Sequence, residues 1–404
     1  MTNLIKLQYD RATVMDISSI KTVKLLMIRY SFILTALLGL FLLNACDNDY
    51  RRSAQGGLSE VLVVMDSTQW DGPVADAIRN TFGREMMTLP RPEHRYDLRF
   101  MDLRTNRDLE YAKSFRNTIF AAPIDEQSNV ASFIRAILSE EIKERISDGR
   151  NFAFPLRDRW FRDQWTLFLS APDEQTLARR IVESERSLVS SLDQTERERW
   201  KRQVFRRGEQ AHLADSLMQN HGFSIRVQHD YRIGVDTTGF VSMRRFLHDN
   251  DRWIWFAYKD GFDGLDDIDS EWISAVRDSL NRQFIRGTRD GSYVTTEYRE
   301  PRRVETVRTR VNGRPALETR GTWRMTNDIM GGPFLHYTIF DEHQNRIYMM
   351  EFAQFAPRYS KRRFMNQFEA MAHTFQTDTT FVPEPIALRR KGQIDVYVEN
   401  LGDE

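Results

Sequence analysis

Phe32 to Leu43 is an uncharged apolar run, and three residues later stands the only cysteine of the chain, Cys46. The run is 12 residues long, whereas a helix crossing a bilayer needs about 20 predominantly apolar residues. It fits the apolar region of a secretory leader better, with Arg29, Lys24 and Lys21 as the preceding positive charge. A core helix would carry one apolar stripe rather than an all-round run. A single cysteine also excludes a disulfide framework, a CxxC redox pair and a cysteine-rich zinc site. The remaining length suffices for real cores, since 41% of the 404 residues are hydrophobic and 12% aromatic. With 58 basic and 58 acidic residues the chain is formally neutral, which argues against a general binder of nucleic acid or acidic lipid.

Leu43-Asn44-Ala45-Cys46 resembles the lipobox of bacterial lipoproteins. The resemblance assigns Leu43 and Ala45 to signal-peptidase recognition and Cys46 to lipid attachment, the only group expected on the chain being a covalent diacylglyceryl and N-acyl lipid. Its chemistry is coherent: a thiolate accepts the diacylglyceryl group, and small Ala45 lets the peptidase close on the bond before Cys46. One acyl chain anchors only marginally, at about 0.8 kcal/mol per buried methylene, so several chains make a firm anchor. Asp10 and Asp16 are out of place in a leader, so Met27 is expected to be the true start. Residues 1–45 carry five basic and two acidic residues, so the expected mature chain stays near neutral, at −3.

Residues 46–59 are polar, contain Gly56 and Gly57 and lack periodicity, which predicts a flexible tether. The expected fold class is α+β, with two helix-and-sheet layer domains following the cleaved signal peptide. Residues 60–221 read as an α/β domain. Its strands are Glu60–Met65, Tyr96–Leu103, Asn117–Ala122 and Trp165–Leu169, and Pro73 opens a helix over Val74–Phe82. Ser128 begins one helix running to Asp148 and Asp173 another through Leu192, and Thr195-x-x-Glu198 reads as a capping box for a third. Residues 222–377 read as a mainly antiparallel α+β domain, with a hairpin at Asn312-Gly313, a helix from Ser270 and a closing helix from Ser360. The two helices are expected to form one layer against the sheet, and residues 378–404 to form a tail.

No catalytic motif stands out. The eight histidines are scattered, without H-E-x-x-H, and no nucleophile elbow, phosphate loop or dinucleotide-binding turn is present. Neither catalytic, cofactor-binding nor metal-binding residues are therefore assigned. The acidic stretch Asp260 to Asp269 fits no register of a calcium loop and reads as a solvated loop whose last acid caps the Ser270 helix. Arg197 to Arg207 interleaves six basic residues with Trp200 and Phe205. It reads as a solvated amphipathic helix, with an anionic envelope polymer as the functional alternative. Trp70-Asp71-Gly72 and the loop Arg157–Trp165 carry aromatics beside charges, as sugar- or peptide-binding sites do, although rim packing is the simpler reading.

Glu60–Asp66, Trp70–Ile78, Asn117–Ala122, Leu167–Asp173, Arg320–Trp323 and the ending His373-Thr374-Phe375, in this order behind Cys46, resemble a family of Bacteroidetes envelope lipoproteins, domain of unknown function 4837. The resemblance spans the mature chain and implies an outer-membrane lipoprotein, periplasmic or surface-facing, the inner membrane being the lesser alternative. It brings no established activity. The expected role is a non-enzymatic binding or assembly factor whose partners are the membrane, through the anchor, and an envelope protein or glycan, with no nucleic acid. The alternative is an envelope hydrolase or transferase acting on glycan or peptide through carboxylates that no motif reveals. A cleft lined by facing carboxylates with shifted pKa values would favour the enzyme.

Overall fold

A computed structural model describes residues 50–299 and 303–378. The leader, its Leu43 and Ala45, the attachment candidate Cys46 and the tail beyond Asp378 lie outside the described residues. The described residues from Ser53 to Asp378 form one compact unit, and all four apolar clusters of the described residues fall within it. It is α+β, built on two main sheets, the second of them antiparallel.

The first region runs β1 (Glu60–Val64), α1 (Pro73–Phe82), β2 (Asp97–Met101), α2 (Asn106–Ser114), β3 (Asn117–Ala121), α3 (Asn129–Ile137), α4 (Glu140–Ser147), β4 (Ala153–Arg157), β5 (Trp165–Leu169), α5 (Glu174–Glu183) and α6 (Glu185–Phe205), followed by α7 (Ala211–His221). Its sheet has the order β2-β1-β3-β5-β4, all parallel except the edge pair β4 and β5. The continuous apolar run of β1 is explained by burial on both faces. Val61 and Val63 pack with α1, α5 and α6, whereas Leu62 and Val64 pack with the α2, α3 and α4 side. Each such side chain contributes about 1.5–3 kcal/mol of transfer free energy.

The second region runs β6 (Phe223–Ser224), β7 (Arg232–Thr237), β8 (Phe240–Leu247), β9 (Asn250–Asp260), α8 (Ser270–Phe284), β10 (Val294–Thr296), β11 (Glu305–Val311), β12 (Arg314–Met325), β13 (Gly331–Asp341), β14 (Arg346–Phe355), α9 (Arg362–Ala372) and β15 (Gln376–Thr377). The main sheet has the order β10-β12-β13-β14-β9-β8-β7, with β11 also on β12, and β15 pairs with β6. The turn joining β11 to β12 places Asn312 and Gly313 at φ 48° and 87°, as a two-residue hairpin with that dipeptide requires. At Gly332 a Cβ would lie 2.0 Å from the carbonyl oxygen of Gln354, so only glycine lets β13 pass there.

The one-layer expectation for the two helices is corrected. Strand alternation sends Ile254, Phe256 and Tyr258 of β9 to the face covered by α9, and Trp253, Trp255 and Ala257 to the face covered by α8. Three helix readings also change. Ser139 caps a new helix through Ile142 N, so the helix expected over 128–148 is two. The Asp173 helix ends at Ser184, and α6 runs unbroken across Thr195, whose hydroxyl donates back to Ser191 O (3.1 Å) instead of capping. Residues 53–59, expected in the tether, are bonded into the fold. Ala54 N donates to Arg162 O (2.9 Å) and Gln55 N to Ser114 O (2.8 Å), and Ser59 N reaches Glu196 Oε2 (2.8 Å).

The two regions interlock. Glu93, between α1 and β2, caps α9 by accepting from Lys361 N (2.6 Å), Arg362 N (3.0 Å) and the Ser360 hydroxyl (2.7 Å). Glu369 of α9 accepts from Arg197 of α6 (3.0 Å) and Arg320 of β12 (2.9 Å). Burial opposes its charge, but the two guanidiniums hold its carboxyl well below the usual range.

Candidate functional site

Where the C-terminal end of α6 meets the β8–β9 hairpin and the start of α9, a pocket of about 330 Å³ opens. Strand alternation brings Arg245, Leu247, Asn250 and Arg252 to the face shared with Met243 and Ile254. Helical spacing aligns Phe364 and Gln367 of α9 beneath them, and Arg206, Arg207 and Arg363 complete the wall. Five arginines thus converge from three separate stretches of chain.

Arg252 is the centre. It is 3% exposed, its Nε donates to Asn250 Oδ1 (3.1 Å) and its Nη1 to Gln367 Oε1 (2.9 Å), and its guanidinium lies 4.3 Å from the centroid of the Phe364 ring. Asn250 Oδ1 also accepts from Gln354 Nε2 (2.7 Å), so neutral amides orient the cation. Among the described residues no carboxylate pairs with Arg252. Burial, reinforced by Arg245 and Arg363, lowers its pKa to about 10. Buried charges are ordinarily paired, so this cation is held in place with its counter-charge missing. Arg245 does have one: its Nε lies 2.6 Å from Asp230 Oδ2, an ion pair rather than an aligned hydrogen bond. Arg206, Arg207 and Arg363 are exposed and, among the described residues, form no ion pair.

The basic segment Arg197–Arg207 is therefore divided. Arg199 is buried against Glu196 and Asn117 (both 2.6 Å), Arg197 holds Glu369, Arg202 reaches Asp163, and only Arg206 and Arg207 face the pocket. In the acidic stretch Asp260 pairs with Arg346 (2.5 Å), Asp266 with Arg308 (2.9 Å), and Asp269 caps α8 through Trp272 N (2.8 Å). Trp70 stacks on Phe100 at 4.4 Å, Trp165 is fully buried, and Trp160 packs on Phe133, so these aromatics serve packing. Sequence reasoning missed Arg252 and Arg245. The available signal was a charge, Arg252, directly before the apolar run Trp253–Tyr258.

A second feature lies beyond the carboxyl ends of the parallel strands, where connections leave β1 and β3 in opposite directions, the usual ligand crevice of such sheets. Hydrogen bonds from Thr68 lower the pKa of Asp66, while burial and then the charge of Asp66 raise that of Glu126. Among the described residues no three His, Cys, Asp or Glu side chains converge as a metal site, and no helix is long and apolar enough to cross a membrane.

Residues 210–374 match the family model of domain of unknown function 4837, and residues 54–205 match a second, domain of unknown function 8532. The likeness to the first family thus covers the strand-rich region. Glu60–Asp66, Trp70–Ile78, Asn117–Ala122 and Leu167–Asp173, expected to belong to it, fall within the second. No curated protein matches the chain. Among solved structures, human StAR-related lipid transfer protein 5 aligns at 10% identity over 40% of this chain and 93% of its own. The TM-score of 0.20 is too low to bear on fold or function.

Proposed function

We propose that this is a lipid-anchored cell-envelope protein, a binding or assembly factor that holds an anionic ligand in the arginine pocket. The observation that carries the binding role is Arg252, a buried, pre-oriented cation lacking a carboxylate partner. The anchor rests on the sequence around Cys46, where a diacylglyceryl and N-acyl lipid would hold the chain to the outer membrane, facing the periplasm or the exterior. Asp47-Asn48-Asp49 partly matches the acidic surface-export signal of Bacteroidetes lipoproteins, the source to which the resemblance points. An envelope glycan or protein bearing phosphate or carboxylate suits such a pocket, since guanidinium pairs with both in bidentate fashion.

Two measurements test this reading. Cys46→Ser is expected to abolish labelled palmitate incorporation and move the protein out of the membrane fraction; unchanged partitioning would refute the anchor. Inorganic phosphate at about 100 times its dissociation constant is expected to stabilise the wild-type chain by about 2.7 kcal/mol. Arg252→Met keeps an unbranched apolar stem on Phe364 and should lose that response. An equal response in both proteins would remove the pocket from the account.

The hydrolase or transferase reading has one foothold, the opposed shifts of Asp66 and Glu126, a pattern by which carboxylates divide acid and base roles. It requires that the purified chain turn over an envelope glycan or peptide and that Glu126→Gln stop it.

A further inference from the structure

We propose that the arginine pocket and the β8–β9 turn beside it form one membrane-docking face, which seats the phosphate of an anionic lipid headgroup while the turn enters the interface. The inference rests on the pocket being an anion site and adds the source of the anion. The turn is built for contact with something apolar. Phe246 is 75% exposed and Leu247 38%, and Tyr359 at the pocket mouth is 45% exposed. Leu247 and Tyr359 line the pocket, and Phe246 projects from the opposite face of the same hairpin tip beside Arg244, so the apolar side chains flank the turn on both faces. His248 and Asp249 close the hairpin in two residues, Asp249 at φ 54°, so the tip is short and stiff.

The charge beside the tip has the matching sign. Arg244 is engaged by Asp251 (2.9 Å) and Arg358 by Asp249 (3.2 Å), but Arg206, Arg207, Arg252 and Arg363 carry no such partner among the described residues. The formal neutrality of the whole chain averages over this patch and hides it. An apolar tip ringed by cations is the pattern of a surface lying in an anionic interface, with tyrosine at headgroup level. A soluble phosphorylated glycan would use the arginines and leave Phe246 and Leu247 without a role.

Chain length allows the placement. The folded unit begins at Ser53, beside Arg162, and the adjacent Asp163 pairs with Arg202, one helical turn before Arg206. Seven residues from Cys46 to Ser53 span at most about 25 Å, so an anchor there keeps this end of α6 within reach of the bilayer.

The test uses the chain from Ser53 to Glu404, without leader and anchor; its described residues form the compact unit holding all four apolar clusters. Flotation with vesicles compares phosphatidylcholine alone with phosphatidylcholine doped with phosphatidylglycerol. Binding is expected only to the doped vesicles. Each arginine near an anionic surface strengthens binding about fivefold, so Arg206→Gln with Arg207→Gln should weaken it about 25-fold. Phe246→Ser with Leu247→Ser should weaken it at least about tenfold, and Phe246→Ser alone, at a residue outside the pocket lining, should weaken it while leaving the melting temperature and the response to inorganic phosphate unchanged. Equal binding to both vesicle types, or tight binding that survives loss of Phe246 and Leu247, overturns the docking face. In that event a retained phosphate response keeps the pocket as a site for soluble anions, and loss of both responses removes the pocket as well.

Discussion

Replacing Arg277 with methionine is expected to destabilise the fold by about 3–5 kcal/mol, well beyond the cost of a surface substitution. Arg277 and Glu351 are both fully buried, on the α8 side of the main sheet. Nη2 of Arg277 donates to Glu351 Oε1 (3.0 Å), and Nε lies 2.6 Å from Oε2. Nη1 adds bonds to Asp278 (3.0 Å) and Thr296 (2.7 Å), and the guanidinium lies 3.9 Å from the centroid of the Phe334 ring. Removing the cation strands Glu351 with only His336 nearby, at 3.6 Å, and burial pushes that imidazole toward its neutral form. Adding Glu351→Leu removes the stranded charge and should restore most of the loss, because apolar replacements of a buried pair are often neutral. Urea unfolding of both single variants and the double variant measures the coupling. A single-variant loss below about 1 kcal/mol would show that the two side chains do not depend on each other as a buried pair must.

The second large effect is with pH. Burial, reinforced by Arg197, lowers the pKa of His373 to about 4, against the opposing charges of Glu369 and Glu318; Lys201 pushes the same way as Arg197. The unfolded chain takes up this proton near pH 6.5, whereas the native state refuses it until about pH 4. Stability from this group is therefore complete above about pH 6.5 and lost as pH falls toward 4, about 3 kcal/mol in all. His336, also lowered by burial, adds in the same direction. Below about pH 4.5 Glu369 extends the decline, because its ion pairs hold its carboxyl charged in the native state. Chemical denaturation at steps from pH 7 to 4 should show the decline, and His373→Asn should flatten it. A variant with the wild-type slope would exclude His373 as its source.

The parts of the fold readable in the sequence are those with a strong local signal. Val61–Val64, Ile119–Ala121 and Leu167–Leu169 are uninterrupted apolar runs because both faces of the parallel sheet are covered. Pro73 opens α1 and Asn312-Gly313 turns the β11–β12 hairpin as expected. Elements without such a signal were missed. Helix α2 has few apolar residues, although its capping box, Thr105 with Asp108, was present to be read. Strand β4 lies on the sheet edge and contains Pro155, and β7 is an exposed edge strand. Ser139, which caps α4, and Ser184, where α5 ends and α6 follows, sit between segments whose apolar spacing nearly continues, so periodicity alone joins the helices. The pocket was illegible for a different reason: Arg207, Arg252 and Arg363 are brought together only by tertiary packing.

Helix α6 has a consequence for how the molecule comes apart. Leu188 and Leu192, in its first half, lie in the core of the parallel sheet, and Trp200 and Val204 lie in the core of the antiparallel one. Leu89, from the loop carrying Glu93, enters that second core too. The two family matches meet between residues 205 and 210, yet a cut there strips Trp200 and Val204 from the partner they cover. That boundary separates two family matches without separating two stable pieces, and melting of either sheet should draw the other with it in a single transition.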